Sequence, residues 1–402
     1  MPNCRFCNTE LTHIFCDLGH QPPSNSFLTK KQLDEPEVHY PLKAYVCDKC
    51  WLVQIPELKK ASEIFKDDYV YHSSDSPANV SHAKEYVDMM CERFRYDEKS
   101  KVAEIGSNDG YLLQWFVKKD IPCMGIDPSL GCSEEAIKKG VKTIPKFFTS
   151  KLAKKINKLD LICSINTVAH QPDINDFVKG IKTALKPDGI TTHEFPYLMK
   201  LVAGLQFDTI YHEHYNYYSL ISICTIFREH GLEIFDVEEI PEHGGSLRIY
   251  AQHQGGKHNT TSRLLNLVLD EYQAGMDTVG HYQDFQSRIT DTKQSFMEFI
   301  YYNYSSSLVA YGAAAKANTF LNFCGISPDL IPFIVDRSSH KQGKYLPGSH
   351  IPVVDENKLK ELKPAYVLVT AWNLKEEIME QLSYIREWGG KFVVAIPKLE
   401  VM

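Results

Sequence analysis

Two Cys-x-x-Cys pairs constrain this chain more tightly than any other feature. Cys4-Arg-Phe-Cys7 and Cys47-Asp-Lys-Cys50 each put two thiols on one side of a tight turn. Two such knuckles close a tetrahedral zinc site with Zn–S distances of about 2.3 Å. The intervening residues 8–46 exceed the usual ribbon spacing, so a small β-excursion over residues 18–45 must bring the pairs together. A redox role needs a thioredoxin-like βαβ setting, which neither pair has. Four thiolates leave no open coordination position, so the metal holds the fold and does no chemistry. Most other cysteines, among them Cys91, Cys123, Cys163, Cys224 and Cys324, stand singly in apolar stretches. They read as small core residues of a protein kept in a reducing compartment.

From about residue 95 the pattern changes to apolar strands alternating with helical stretches, the mark of an α/β sheet. Residues 101–110, Lys-Val-Ala-Glu-Ile-Gly-Ser-Asn-Asp-Gly, read as a strand and a glycine turn, with a helix beginning at Tyr111. The next strand, Met124-Gly-Ile-Asp127, ends on an acid about twenty residues after the glycines. Further strands are expected over 160–164 and 190–195, with a helix over 173–185 between them. Residues 243–248, His-Gly-Gly-Ser-Leu-Arg, read as a hairpin with a glycine turn. Long helices are expected over 258–305. The last hundred residues begin a second α/β unit, with a strand, turn and helix start over 308–316 and further strands at 332–336 and 366–370. The fold class is therefore α/β: a zinc module at 1–68, a central Rossmann-like domain at 69–255, and linking helices with a second Rossmann-like domain at 256–402.

Composition closes off other classes. The chain of 402 residues is 43% hydrophobic and 24% charged, the balance of a globular protein. No apolar run reaches the roughly 18 residues that cross a bilayer, and the opening MPNCRFCNTE is not a secretory leader. The expectation is a cytoplasmic protein with no membrane partner. A net charge of −7 argues against nucleic acid as a partner, because phosphate-backbone contact wants an excess of Lys and Arg.

Three groups of residues carry chemistry. Glu104, Gly106, Asn108 and Gly110, with Asp127, form the cofactor signal. Glycines let the backbone approach a ligand, and the acid accepts the two ribose hydroxyls of an adenosine. The NAD fingerprint G-x-G-x-x-G is absent; the form E-x-G-x-N-x-G suits S-adenosylmethionine, whose sulfonium needs no pyrophosphate nest. Tyr211-His-Glu213-His214-Tyr215 concentrates titratable and aromatic groups, and an adjacent Glu and His can serve as orienter and base. His170, in Asn166-Thr-Val-Ala-His170, follows the C-terminal end of a strand, where open α/β sheets bind their ligands. Tyr69 and Tyr71 are weaker candidates, since aromatic packing explains them equally well.

The segments E-I-G-S-N-D-G, A-H-Q-P-D-I-N-D-F, E-F-P, Q-F-D-T-I-Y-H-E-H, H-G-G-S-L-R and K-Q-G-K-Y-L-P-G-S-H-I-P run colinearly through the chain. In this order they resemble the sugar 3-C-methyltransferase family of branched-deoxysugar biosynthesis. The resemblance implies an S-adenosylmethionine-dependent enzyme that methylates C-3 of a nucleotide-linked 4-keto-deoxysugar, with a structural zinc ion. It makes His214 the base, supported by Glu213 and Tyr211, and lines the sugar pocket with His170 and Tyr71. Asp127 and Asn166 fall among the cofactor residues. A small-molecule nucleotide-sugar substrate and a monomer are expected. The chain departs from the family around Lys316, where Gly-Ala-Ala-Ala-Lys-Ala-Asn stands in place of a turn with Pro and a second Gly. Three alternatives remain at this stage: an O- or N-methyltransferase, a non-enzymatic zinc-containing binding protein, and a nicotinamide-dependent oxidoreductase using the C-terminal unit.

Overall fold

The computed structural model describes residues 1–64 and 72–402, so Tyr69 and Tyr71 lie outside the described residues. At the N-terminus, β1 (His13–Gln21) and β2 (Tyr40–Val46) pair antiparallel, and β3 (Val53–Gln54) extends the sheet. The two cysteine knuckles are built alike. In each, the amide four residues after the first cysteine returns to its carbonyl: Asn8 N–H to Cys4 O at 2.9 Å and Trp51 N–H to Cys47 O at 3.0 Å. Asn8 and Trp51 both take left-handed backbone, at φ 61° and 60°. The four sulfurs lie within 4.8 Å of one another, with Cys4–Cys50, Cys7–Cys47 and Cys7–Cys50 at 3.6, 3.5 and 3.7 Å. A tetrahedron of about 2.3 Å Zn–S bonds has edges near 3.8 Å, so the four thiols fit one zinc ion.

The central sheet has the order β10-β11-β8-β7-β4-β5-β6. Its parallel part comprises β4 (Val102–Ile105), β5 (Cys123–Ile126), β6 (Lys142–Ile144), β7 (Leu159–Ile165) and β8 (Leu185–Pro196). Every residue of β4 is buried, as expected of a strand covered on both faces. The short strand β9 (Asn216–Tyr217) leaves this domain to pair with β3, Val53 opposite Tyr217. The hairpin β10 (Leu232–Ile240) and β11 (Ser246–His253) closes the edge, with β11 antiparallel to β8. The strand order reverses between β4 and β7, which opens a crevice at their C-terminal ends.

The helices Ser262–Gln273 and Phe285–Tyr302 lead to a second open sheet. It contains β12 (Leu308–Tyr311), β13 (Ile334–Val335), β14 (Val353–Val354), β15 (Tyr366–Val369), β16 (Lys391–Val394) and β17 (Glu400–Val401), ordered β14-β13-β12-β15-β16-β17. All its pairings are parallel except that of β17. This is the doubly wound Rossmann order, with its own switch point between β12 and β15.

The zinc module is wedged between the two larger sheets. Phe15 stacks on Phe285 at 4.3 Å, and Phe15, Leu42, Phe296 and Phe320 share one apolar cluster. Leu28 exchanges backbone hydrogen bonds with Tyr345 at 2.9 and 2.8 Å. Two local expectations shift. The helix after the glycine turn starts at Leu113, since Gly110 at φ 78° makes a further turn through Tyr111. Residues 186–189, Lys-Pro-Asp-Gly, have the composition of a turn between the expected helix 173–185 and strand 190–195, but run on inside β8.

Because the module contributes to the same core as both neighbours, the metal should stabilise the whole chain. Cys47→Ser should lower zinc content from one per chain and lower the thermal midpoint by several degrees, since metal binding is folding free energy here. Metal analysis beside calorimetry checks this; an unchanged midpoint in zinc-free protein would contradict it.

Candidate active site

The crevice is lined first by the glycine turn. Gly106 has φ 72°, and a Cβ there would fall 2.2 Å from Thr167 Oγ1, so only glycine lets the turn after β4 approach the loop after β7. Asp127, at the end of β5, sits across from it. Its Oδ2 accepts the Asn108 amide and its Oδ1 the Ser129 amide, both at 2.9 Å. Each carboxylate oxygen has a second lone pair, which suits the two hydroxyls of a ribose. Burial raises the pKa of this carboxylate, and the two amides oppose that. Asn108, at φ 47°, also accepts the Ser73 amide at 2.8 Å, so the short turn Ser73–Asp75 before the helix Pro77–Phe94 is tied to the glycine turn.

A cavity of about 330 Å³ runs from this crevice to the segment 209–214. Gly106, Asn108, Asp127 and Asn166 line its cofactor end, and His170, Tyr211, Glu213 and His214 line the other. Glu104 and Gly110 stand behind the wall. Glu104 is fully buried, and neither carboxylate oxygen has a hydrogen-bond partner among the described residues. Burial, with Asp127 and Asp109 nearby, holds its pKa well above the usual range, which disfavours the charged carboxylate.

At the far end, two imidazoles meet at 4.7 Å between ring centroids. His214 Nδ1 lies 3.0 Å from the Thr209 carbonyl oxygen, which can only accept. Nδ1 therefore carries the hydrogen, and Nε2 accepts from the Tyr211 hydroxyl at 2.8 Å. Burial first, then neighbouring His170, pushes the His214 pKa well below 6.5. His170 donates from Nδ1 to the Glu213 carbonyl at 2.7 Å, and burial pushes its pKa down to about 4. Both rings are neutral at pH 7. The Glu213 carboxylate accepts from Asn25 at 2.8 and 2.9 Å, which ties this segment to the zinc module's long loop.

A second cluster escaped the sequence reading. His82, on the helix Pro77–Phe94, bridges Glu194 at 2.6 Å and Glu242 at 2.9 Å. Burial opposes its charge, but the two carboxylates outweigh burial and raise its pKa to about 9. Glu194 also binds Arg248 at 2.6 Å, while the Asn166 amide donates to His243 Nε2 at 2.8 Å. Glu194 and the 243–248 turn belong to segments already singled out as motifs, but nothing in the sequence marks His82.

Comparison with known proteins follows this division of the chain. Residues 4–65 match a family model described as "Putative zinc binding domain", residues 80–237 match "Methyltransferase domain", and residues 241–397 match "C-methyltransferase C-terminal domain". A relative, C-methyltransferase NovU of Streptomyces niveus, is 32% identical over 405 residues, covering 99% of this chain and 96% of NovU. The chain belongs to the C-methyltransferase family. Similar solved structures include magnesium protoporphyrin IX methyltransferase (ChlM) from Synechocystis PCC 6803 with bound SAH, at 13% identity and TM-score 0.37. It covers 44% of this chain and 83% of its own. The PH0226 protein from Pyrococcus horikoshii OT3 matches at 14% identity and TM-score 0.38, over 46% of this chain and 95% of its own. The crevice of this methyltransferase fits S-adenosylmethionine: Asp127 offers acceptors for a ribose beside a turn that only glycine can make.

The buried histidines set an acid limit on stability. His170, His212 and His243 are held to about 4 and His193 to about 3, in each case by burial. The unfolded chain takes up protons near pH 6.5 that the folded chain refuses, so stability falls as pH drops below 6.5. Each such histidine contributes about 1.4 kcal/mol per pH unit. His82 acts oppositely: its contribution is complete below 6.5 and is lost as pH rises through about 9. Urea titrations from pH 7 to 4.5 should show a shallower fall for His193→Gln than for the parent; equal slopes would contradict the assignment.

Proposed function

We propose that this C-methyltransferase adds a methyl group to C-3 of a nucleotide-diphosphate-linked 4-keto-deoxysugar, through an enolate made by His214. The observation that carries the reading is a neutral, buried His214 bonded to a half-buried Tyr211 in one cavity with the Asp127 carboxylate. A carbon beside a ketone is acidic enough for imidazole once the enolate is stabilised. An imidazole with its pKa below 6.5 is already in its base form at neutral pH.

His214 Nε2 already holds the Tyr211 hydroxyl hydrogen. The sugar proton therefore passes to the Tyr211 oxygen as the phenolic proton moves to Nε2, and the pair acts as one base. Thr209 O fixes the tautomer that makes this possible. Glu213, gripped by Asn25, holds the segment in register. His170, whose Nδ1 hydrogen is committed to a carbonyl, presents its other ring edge to the sugar. Tyr71 joins the sugar pocket on the family resemblance alone. S-adenosylmethionine supplies the methyl group when bound. Gly106, Asn108, Asp127 and Asn166 hold it, while Glu104 and Gly110 shape the turn from behind.

The nucleotide of the substrate falls to the C-terminal domain, whose Ala314, Ala315 and Lys341 line the same cavity. The reading includes a cytoplasmic monomer acting on a small molecule, with no nucleic-acid partner. No helix among the described residues is long and apolar enough to cross a membrane.

Mass spectrometry after incubation with labelled S-adenosylmethionine and a panel of nucleotide 4-keto-sugars tests the reading: one labelled methyl should appear on carbon of the sugar, and methylation on oxygen would refute it. Asp127→Ala should weaken cofactor binding by about 1.5–3 kcal/mol, the value of hydrogen bonds to a charged group. His214→Asn should keep both affinities and lower turnover by about 10²–10⁴-fold. Tyr211→Phe should match that loss, because the relay needs both groups; a Tyr211→Phe enzyme near parental turnover would leave His214 acting directly.

A further inference from the structure

Enolisation moves charge to a place that the residues named so far do not serve. As the bond from C-3 to hydrogen breaks, the proton goes to the Tyr211–His214 pair and the bonding electrons form a C-3 to C-4 double bond. The carbonyl π electrons move onto the C-4 oxygen, which becomes an oxyanion. A preorganised donor at that oxygen commonly lowers the barrier more than any other single group. His170 and His214 each spend their one hydrogen on a backbone carbonyl, and Tyr211 donates to His214. We propose that the Lys316 ammonium binds the C-4 oxygen and carries the enolate charge, so that the C-terminal domain supplies a catalytic residue. The inference rests on the enolate reading above.

Lys316 is the second residue of the helix Ala315–Cys324 and lines the cavity together with Tyr211, His214 and His243. It sits close enough that its charge helps to lower the pKa of both histidines. Its ammonium lies over the Trp372 ring, with Nζ 4.6 Å from the ring centre, and Nζ donates to Asn373 Oδ1 at 2.7 Å. Both holders follow β15, so the second sheet aims the side chain. An ammonium has three hydrogens and Asn373 takes one. Asp208, whose charge is felt at Lys316, spends Oδ2 on the Trp372 indole at 2.7 Å and balances the ammonium from a distance, with no ion pair between them among the described residues.

That arrangement suits a transition state. Burial lowers the Lys316 pKa because the cation has lost water and gained no anion in contact. An oxyanion forming beside it restores the missing partner only as the reaction proceeds, which is differential stabilisation of the transition state. A neutral ketone gains less. The rival occupant is a phosphate of the nucleotide, but the cavity's other C-terminal cation, Lys341, which pairs with Asp336 at 3.2 Å, lines the same space and suits that role.

The test uses the full zinc-loaded chain, with Lys316→Met and Lys316→Gln. Deuterium wash-in at C-3 of thymidine- and guanosine-diphosphate 4-keto-6-deoxyhexoses, in the absence of methyl transfer, reads enolisation alone. Calorimetry with thymidine and guanosine diphosphate reads the nucleotide grip, and cofactor affinity reports on the folded site. The expected result is wash-in slowed by about 10²–10³-fold in at least one variant that binds cofactor and nucleoside diphosphate like the parent. Parental wash-in in both variants overturns the inference, as does loss of nucleoside diphosphate affinity with wash-in intact, which would make Lys316 a phosphate ligand. A parent enzyme that washes in no deuterium on either sugar overturns the enolate reading and this inference together, so the two failures are distinct.

Discussion

Everything at this site depends on the burial of residues 207–217 where three sheets meet. The segment has almost no regular structure of its own, so its polar groups must be satisfied by neighbours. The zinc module takes its share through the β3–β9 pairing, the Ile55 amide on the Tyr215 carbonyl at 3.1 Å, and Asn25 on Glu213. The central domain contributes His170 on the Glu213 carbonyl and the Gln171 carbonyl, which accepts from Asn216 at 2.8 Å. The C-terminal domain contributes Thr319 on the Ile210 carbonyl at 3.2 Å and Trp372 on Asp208. A stretch held from three sides can keep His214 and Tyr211 in one geometry without a helix or long strand beneath them. It also explains why a zinc ion that does no chemistry is built into the chain: it braces the sheet that β9 completes.

The same burial sets the electrostatics. Desolvation alone would turn every histidine in the cavity neutral, and at His170, His214 and His243 it does. At His82 two carboxylates reverse the outcome, and the ring is a cation. One cavity thus holds neutral imidazoles at His170, His214 and His243 and a charged one at the end of β8. The difference lies in hydrogen-bond partners: the backbone carbonyls at His170 and His214 and the Asn166 amide at His243 satisfy a neutral ring, whereas carboxylates demand charge.

The alternating strands, the glycine turn and Asp127 were legible in the sequence because each is local: a period, a φ requirement, an acid at a strand end. The four zinc thiols were legible because C-x-x-C knuckles carry their geometry with them. Tyr211, Glu213 and His214 stood out by density. Their partners did not, since Thr209 acts through a carbonyl that every residue has, and Asn25 lies 188 positions away. His82 was illegible for a like reason: a single histidine on an amphipathic helix gains its role only when Glu194 and Glu242 fold against it. The pairing of β9 with β3 could not be read either, because a two-residue strand has no period.

The two open sheets repeat one device, and the difference between the copies shows why they cannot exchange ligands. In the central sheet the Gly106 amide binds the carbonyl of Ile126, and Asp127 binds the turn amide of Asn108 and its own i+2 amide. In the C-terminal sheet the Gly312 amide binds the carbonyl of Val335, and Asp336 binds the turn amide of Ala313 and the i+2 amide of Ser338. Asp127 is left with open acceptor positions. Asp336 receives a third partner, the ammonium of Lys341 at 3.2 Å. A carboxylate already paired with a cation is a poor acceptor for ribose hydroxyls, because a ligand must compete with a charge-assisted bond. The ribose site of a nicotinamide cofactor, which would need that carboxylate, is thereby closed in the second unit, while the lysine that closes it faces the shared cavity. The copy has exchanged an acceptor of sugar hydroxyls for a donor of positive charge. That exchange suits the nucleotide diphosphate proposed for this domain, and leaves Asp127 as the carboxylate with acceptors open to a ribose.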